Sequence, residues 1–385
     1  MRIPLTLGKK AALAGLLVLA AGAPLGMSAA RSGADVLTVL KDIFPVPATT
    51  GNEASLAERV RALLPAGLNV TEDGLGGMAV QTGQGPAGLL VLAPLDGYGH
   101  FVSGITPEGY LTLDRAVPPP HAQFDAYLLG QPVVVSTAKG PLQGVVAQPA
   151  MHLLTQERRR SLVENFSLEN AYVDLAVRSA AEARAKGVEI LDAVTFWPSL
   201  TELAGGKWSG PGLGLKAACA VLAAAAGPGQ AGAADGAVLA WAAQTKLAAR
   251  GRGPRASLGA VRVRNHWRPR QVLILDLVAA DKGPGTPGLG KGPVLVIAKE
   301  APTPLREAVE RAAGSGSIPL QRAAGTETPL SAAFAAGAEG GAETDVVVLA
   351  VPVQFLHTPS EIVDLGDVQA LRDLLAAILK TGGDR

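Results

Sequence analysis

Ala237-Val238-Leu239-Ala240-Trp241-Ala242, running into Ala243-Gln244-Thr245-Lys246, is an apolar stretch with no polar alternation and an abrupt polar end. The same form recurs at 89–93, which leads into Pro94-Leu95-Asp96-Gly97, and at 272–278, which carries Asp276 near its end. It recurs again at 293–297 and at 345–351, the last leading to Gln354 and His357. A strand that is apolar on both sides is buried on both faces, the condition of a parallel sheet covered by helices. Segments 214–226, 304–313, 328–337 and 367–380 supply helices between these strands, with 34–45 and 54–64 ahead of them. The alternation predicts an α/β fold: a doubly wound, mostly parallel sheet.

Residues 101–194 break the alternation. They hold short β-type runs (Tyr110–Leu113, Pro132–Ser136, Gly144–Ala147, Tyr172–Val177) separated by turn residues. We expect an inserted β-barrel-like module here, dividing the sheet domain into residues 31–100 and 195–385. Residues 1–30 read as a signal peptide: Arg2, Lys9 and Lys10 precede an uncharged stretch from Ala11 to Ala30 that ends in Ser28-Ala29-Ala30. Pro24 and the nearby glycines make that stretch a poor membrane helix. Cleavage near Ala30 would give a secreted or periplasmic chain and, by removing three basic residues from a formal charge of +1, leave it at −2.

Composition excludes several functions. With 48% hydrophobic and 17% charged residues the chain is not a disordered one. A net charge of +1 and 4% aromatic residues argue against a nucleic-acid partner. The single cysteine, Cys219, excludes an internal disulfide and a cysteine-built metal site, and its alanine-rich surroundings read as core. Arg250, Arg252, Arg255, Arg262, Arg264, Arg268 and Arg270 lie in a stretch without one acid. Such a run offers a surface for an anionic envelope partner, polymer or phospholipid; a solvated face or subunit contact is the favoured reading.

Ligands of open α/β sheets bind beyond the carboxyl ends of the strands. Collecting those ends brings Asp96, Gln244, Thr245, Lys246, Asp276 and His357 to one floor, beside the glycine-rich loop from Ser209 to Gly214 that opens the alanine-rich helix. Gly210, Gly212 and Gly214 before a helix could cradle an anion, but the lysine–serine ending of a phosphate loop is absent. A dinuclear metal site needs about five or six oxygen and nitrogen ligands, and this floor does not supply them. His100, His121 and His152 are too widely spaced to form a ligand pattern. Neither a serine elbow nor a cysteine–histidine pair offers another nucleophile.

From about Val36 to Leu379 the order of motifs resembles the tetrahedral or deblocking aminopeptidases, also known as glutamyl aminopeptidases and cellulase-M-like proteins, a family of dinuclear zinc or cobalt peptidases. The segment Pro47 to Glu53 is similar to the family's serine-glycine-asparagine-glutamate loop, and Glu72-Asp73-Gly74-Leu75-Gly76-Gly77 to a following turn. Leu129 to Val133, Gly144-Val145-Val146 and Tyr172 to Leu175 resemble its β-module. Gly290 to Pro293 and the run from Val351-Pro352 to His357-Thr358-Pro359-Ser360-Glu361 match near the end. The resemblance implies the zinc-peptidase-like fold, a peptide ligand and a homo-oligomer, dimer or larger.

Carried over position by position, the family's metal centre is mostly missing. The first ligand histidine falls on Pro94, although its aspartate partner is kept as Asp96. The bridging aspartate falls on Gly214, and the general-base and ligand glutamates fall on Thr245 and Lys246. Only Asp276 and His357 match ligands. No acid occurs between Glu202 and Asp235 or between Asp235 and Asp276, so a local shift of register does not restore the set. The altered segment includes Gly212 and Lys216.

These residues imply an exported aminopeptidase homologue without catalysis, kept for binding or assembly, with no metal expected. The alternative is an active metal-dependent aminopeptidase with a rebuilt site. In the first reading the Lys246 ammonium is expected within ~4 Å of Asp96 or Asp276, directly or through one water. His357 is expected to face the same cavity, and activity to need Pro94→His, Gly214→Asp, Thr245→Glu and Lys246→Glu together.

Overall fold

The computed structural model describes residues 35–82, 87–147, 150–164, 166–226, 236–249, 256–281, 283, 285–298, 301–325, 327–335 and 344–381. The leader at 1–30 lies outside the described residues, as do Arg250, Arg252 and Arg255.

Two helices, α1 (Val36–Ile43) and α2 (Ala54–Leu63), precede β1 (Val70–Glu72), β2 (Met78–Thr82) and β3 (Leu89–Pro94). The chain then forms β4 (His100–Ile105), β5 (Leu111–Arg115), β6 (Pro132–Thr137), β7 (Gly140–Ala147), α3 (Gln156–Glu164), β8 (Tyr172–Asp174), α4 (Ala180–Ala185) and β9 (Ala193–Phe196). Strands β4 to β9 close into a six-stranded barrel in the order β4-β5-β8-β7-β6-β9, filled by Val102, Leu111, Val133, Val135, Val146, Val173 and Val194.

After β10 (Thr201–Leu203) and β11 (Lys207–Ser209) the chain returns to the sheet through α5 (Leu213–Ala225), β12 (Ala237–Ala242), α6 (Leu258–Trp267) and β13 (Gln271–Ala279). It ends with β14 (Val294–Ile297), α7 (Pro304–Ser315), β15 (Gln321–Ala324), α8 (Pro329–Ala335), β16 (Asp345–Val353), β17 (Ile362–Asp364) and α9 (Leu365–Thr381).

The large sheet runs β1-β2-β12-β3-β13-β16-β14-β15. Its four central strands, β12, β3, β13 and β16, are parallel, while β2 and β14 pair antiparallel to that centre. The parallel part is therefore the middle of the sheet, where both faces are covered. In β3, Leu89, Val91 and Ala93 face α1, α2, α5, α7 and α9, whereas Leu90 and Leu92 face α6 and α8. Each such side chain contributes roughly 1.5–3 kcal/mol on burial.

Helix α5 is buried along all of its 13 residues. Its alanines make that packing feasible, because a helix of small side chains fits between α1, α9 and the sheet. Cys219 is core there, its thiol donating to the Pro94 carbonyl at 3.0 Å.

Helix α6 occupies part of the arginine-rich stretch, where charge hid the apolar period. Ser257 caps it, accepting from the Ala260 N–H at 3.2 Å. Two of the arginines turn inward. Buried Arg264 donates to the Ala333 carbonyl on α8 at 2.8 Å, and Arg262 donates to Gln244 Oε1 at 3.0 Å and Asp73 Oδ2 at 3.2 Å. Of the described arginines in this run only Arg268 and Arg270 are exposed. The expected seven-residue basic face is thus divided between core ties and surface.

Helix α6 approaches the turn after β12 so closely that a β-carbon on Gly259 would lie 2.1 Å from the Ala243 carbonyl oxygen. Backbone there cannot yield as a side chain would. Gly259→Ala should lower the unfolding free energy by about 1–3 kcal/mol in chemical denaturation. Gly88→Ala, exposed and with open space at its Cβ, should leave it within about 0.5 kcal/mol.

Candidate functional site

The ends of β3 and β12 meet the loop that follows α1. Thr49 pairs with Gly97 as a parallel bridge, so the loop lies against the end of β3. This brings Thr50 to Asp96, which is fully buried. Asp96 Oδ2 accepts from the Thr50 hydroxyl at 2.8 Å and the Lys246 N–H at 3.0 Å. Its Oδ1 accepts from the Thr245 N–H at 2.7 Å and the Thr245 hydroxyl at 2.6 Å. Four donors of the same chain thus stabilise a carboxylate that burial alone would make costly.

Glu53 clamps the same turn from the other side. Its Oε1 accepts from the N–H groups of Gly51 at 3.0 Å and Gln244 at 2.8 Å. Gln244 is left-handed (φ 56°), which lets three successive N–H groups, 244 to 246, reach two carboxylates. Burial raises the Glu53 carboxyl above its ordinary range and nearby Asp96 adds to that, while the two N–H groups oppose it.

A third carboxylate, Glu361, closes the amino end of α5. Its Oε2 accepts from the Gly214 N–H and its Oε1 from the His357 N–H, both at 2.9 Å. Gly212, at φ 64°, turns the chain into the helix. The anion that this helix end holds is the chain's own glutamate. Burial pushes Glu361 up to about 7, against the pull of these N–H groups and of Lys246. Glu361 belongs to a matched motif, but only tertiary structure reveals it as a site residue.

Asp96, Lys216, Lys246, His357, Glu361 and Gly212 line one cleft with about 830 Å³ of empty space, including its open mouth. Phe44, Tyr98, Phe124, Phe196 and Leu215 form much of its wall. His357 is left-handed (φ 64°) and meets Tyr98 edge-on at 5.1 Å. Burial, followed by Lys246 and His121, lowers its imidazole to about 4, so it is neutral at pH 7. Lys216 donates to the Val46 carbonyl and burial lowers its ammonium to about 8.

Two expectations need correction. The direct pair expected of the Lys246 ammonium with Asp96 or Asp276 is not formed: the ammonium lies 5.5 Å from the centre of the Tyr98 ring, and the backbone N–H of Lys246 donates to Asp96. Asp276 lies outside the cleft: it sits within β13 opposite Ala350, and its Oδ1 accepts from the Leu277 N–H at 2.9 Å. Asp96 needs no distant cation because nearer neutral donors already satisfy it. Pro94 is buried at the end of β3 with its carbonyl turned to Cys219. His100 is structural, held at 2.9 Å by buried Asp125 in the barrel wall.

The two metal ions of the related peptidases do not fit this donor set. A cation on Asp96 would have to displace hydroxyl and N–H donors that occupy both of its oxygens. Among the described residues no three of His, Cys, Asp and Glu converge on a point. A β-carbon on Gly214 would come within 2.6 Å of Val353 Cγ2 and 3.1 Å of Leu277 Cδ2. Of the four changes expected to be needed together, Gly214→Asp would set its side chain against Val353 and Leu277.

Lys216 provides a test through pH. Its ammonium loses its proton near pH 8 in the fold and near the ordinary 10.5 in the unfolded chain, so the unfolded state holds more protons between these values. Stability contributed by Lys216 consequently rises with pH in that window. Cys219, pushed by burial from 9.0 to about 12, acts in the opposite sense above pH 9. Between pH 8 and 9 the unfolding free energy of the natural chain relative to Lys216→Met should rise by about 1 kcal/mol. A flat difference would show that Lys216 is not desolvated.

Known proteins share this architecture. Residues 76–374 match the profile of the M42 glutamyl aminopeptidases. FrvX of Escherichia coli (strain K12) is 24% identical over 362 residues, which cover 90% of this chain and 95% of FrvX. The lysyl aminopeptidase of Pyrococcus furiosus is 27% identical over 301 residues, 76% of this chain and 81% of the relative. Among solved structures, the TET aminopeptidase of the marine sediment archaeon Thaumarchaeota archaeon SCGC AB-539-E09 has a TM-score of 0.75 at 23% identity, covering 90% of this chain and 96% of the other. The TET1 peptidase of Pyrococcus horikoshii has a TM-score of 0.74 at 25% identity, with 89% and 98% covered. With a family match across most of the described sheet domain and the whole barrel, the chain belongs to the M42 glutamyl aminopeptidase family.

Proposed function

We propose that this chain is an M42 protein that binds peptides at the family's former metal centre without hydrolysing them. The observation that carries this reading is the place of the bridging carboxylate: a β-carbon on Gly214 would meet Val353 and Leu277, and among the described residues no three of His, Cys, Asp and Glu converge. Lys246 also brings a positive charge to the position of a ligand glutamate, where a divalent ion would be repelled. What remains is an aromatic-walled cleft suited to holding a ligand. The competing reading, a metalloaminopeptidase with a rebuilt site, is favoured by one feature: Asp96, His357 and Glu361 line the same cleft.

We extend the proposal to the chain's setting. The P. horikoshii TET1 peptidase is described as assembling into a tetrahedron or a large octahedral shell. A homo-oligomer, dimer or larger, is the corresponding proposal here. The basic, apolar and small-residue order of residues 1–30 supports export and cleavage near Ala30.

Two experiments test these points. Protein purified in the presence of zinc or cobalt should hold less than about 0.1 metal per chain and should leave lysyl, leucyl and glutamyl p-nitroanilides uncleaved. Chelator-sensitive turnover with at least one metal per chain would establish the competing reading. Amino-terminal sequencing of the exported protein should begin at or near Arg31, and an intact Met1 in a membrane fraction would refute cleavage.

A further inference from the structure

We propose that the cleft receives the carboxyl end of a peptide, the reverse of the end that an aminopeptidase engages. This rests on the peptide-binding reading above and adds polarity and a path for the ligand.

The polarity follows from which charges are already committed. The oxygens of Asp96 and Glu361 accept hydrogen bonds from the chain's own donors. Lys246 and Lys216 line the same cleft, and neither forms an ion pair within 4 Å among the described residues. Lys216 is spent on the Val46 carbonyl, whereas the Lys246 ammonium lies 5.5 Å from the centre of the Tyr98 ring and near enough to Glu361 to act on its charge. An entering ammonium would meet two cations and two carboxylates whose oxygens already accept hydrogen bonds from the chain. An entering carboxylate would find Lys246.

The path follows from a second groove lined by Tyr127, Gln131, Trp197, Ser199, Phe355 and Ser360. It shares Phe196, Pro211 and Thr358 with the cleft, so the groove lies directly beside the cleft that holds Lys246. At its outer end Tyr127, Trp197 and Phe355 are each more than a third exposed. Phe355 and His357 are both left-handed, at φ 57° and 64°. The strained loop thereby holds an aromatic ring in the mouth and an imidazole on the floor, and such conformations concentrate at ligand sites. Gln131, Ser199, Thr358 and Ser360 interleave hydrogen-bonding groups with these aromatic rings. That alternation suits a chain of amides with apolar side chains better than a bare hydrocarbon.

Isothermal titration of the full mature chain decides the matter with three peptides of one sequence: acetyl-Ala-Leu-Phe with a free carboxylate, the same peptide amidated, and Ala-Leu-Phe amide with a free amine. Octanoate serves as the hydrocarbon carboxylate. The free-carboxylate peptide should bind roughly ten- to a hundredfold tighter than its amide, the range of one charge-assisted hydrogen bond. Lys246→Gln, checked for folding by circular dichroism, should erase that difference, and Trp197→Ala should weaken binding several-fold. Equal binding of acid and amide, tighter binding of the free-amine peptide, or binding of octanoate as tight as the peptide acid would each overturn the proposal. Mass spectrometry of the same samples separates the two levels. Cleaved peptide refutes the non-hydrolytic reading, intact peptide bound by its amine refutes only the polarity, and no binding by any peptide refutes both.

Discussion

The hydrogen bonds converging on Asp96 hold together three parts of the chain that are far apart in sequence. Thr50 lies in the loop after α1, Asp96 beyond the end of β3, and Thr245 and Lys246 beyond the end of β12. A carboxylate with no exposed surface is tolerated only because donors replace its lost water, and here two N–H groups and two hydroxyls do so. Losing one donor would cost more than an ordinary hydrogen bond, since an unsatisfied charged oxygen would stay buried. The same arrangement makes Asp96 a structural clamp, and a clamp with both oxygens engaged is a poor metal ligand.

Glu361 does for the other wall what Asp96 does for the floor. It neutralises the open N–H groups of a helix that is buried along its whole length, and it fixes the loop carrying His357. Around it Val353 and Leu277 occupy the space in which a side chain on Gly214 would stand. The cleft is consequently built of carboxylates turned to the chain's own donors, with Lys216 held by the Val46 carbonyl and Lys246 beside the Tyr98 ring.

Much of this was legible in the residues. Apolar runs without alternation located the central strands, and the alanine content of 213–225 reflects a helix packed on all sides. The strands of the barrel lie in a stretch already set apart by short β-type runs and frequent turns. Strand ends also nominated Asp96, Thr245, Lys246 and His357, which the fold gathers around one cleft. Helix α6 was hidden because arginines that serve as internal ties look like surface charge in a sequence. Asp276 was over-read, since nearness to a strand end does not say which way the side chain turns. Glu361 was passed over because its partners are backbone N–H groups, which no side-chain pattern records. The same blindness led to the expectation of a lysine–aspartate pair where the lysine's own N–H does the work.

The central claim is that Asp96 belongs to the fold and is unavailable to a metal. Crystals saturated with Co(II), measured at the cobalt absorption edge, address it directly. No anomalous peak should lie within the roughly 2.0–2.2 Å of a metal–ligand bond from Asp96, His357 or Glu361. The Thr245 hydroxyl should stay within hydrogen-bond distance of Asp96 Oδ1. A peak joining Asp96 to His357 or Glu361, with the Thr245 hydroxyl displaced, would contradict it.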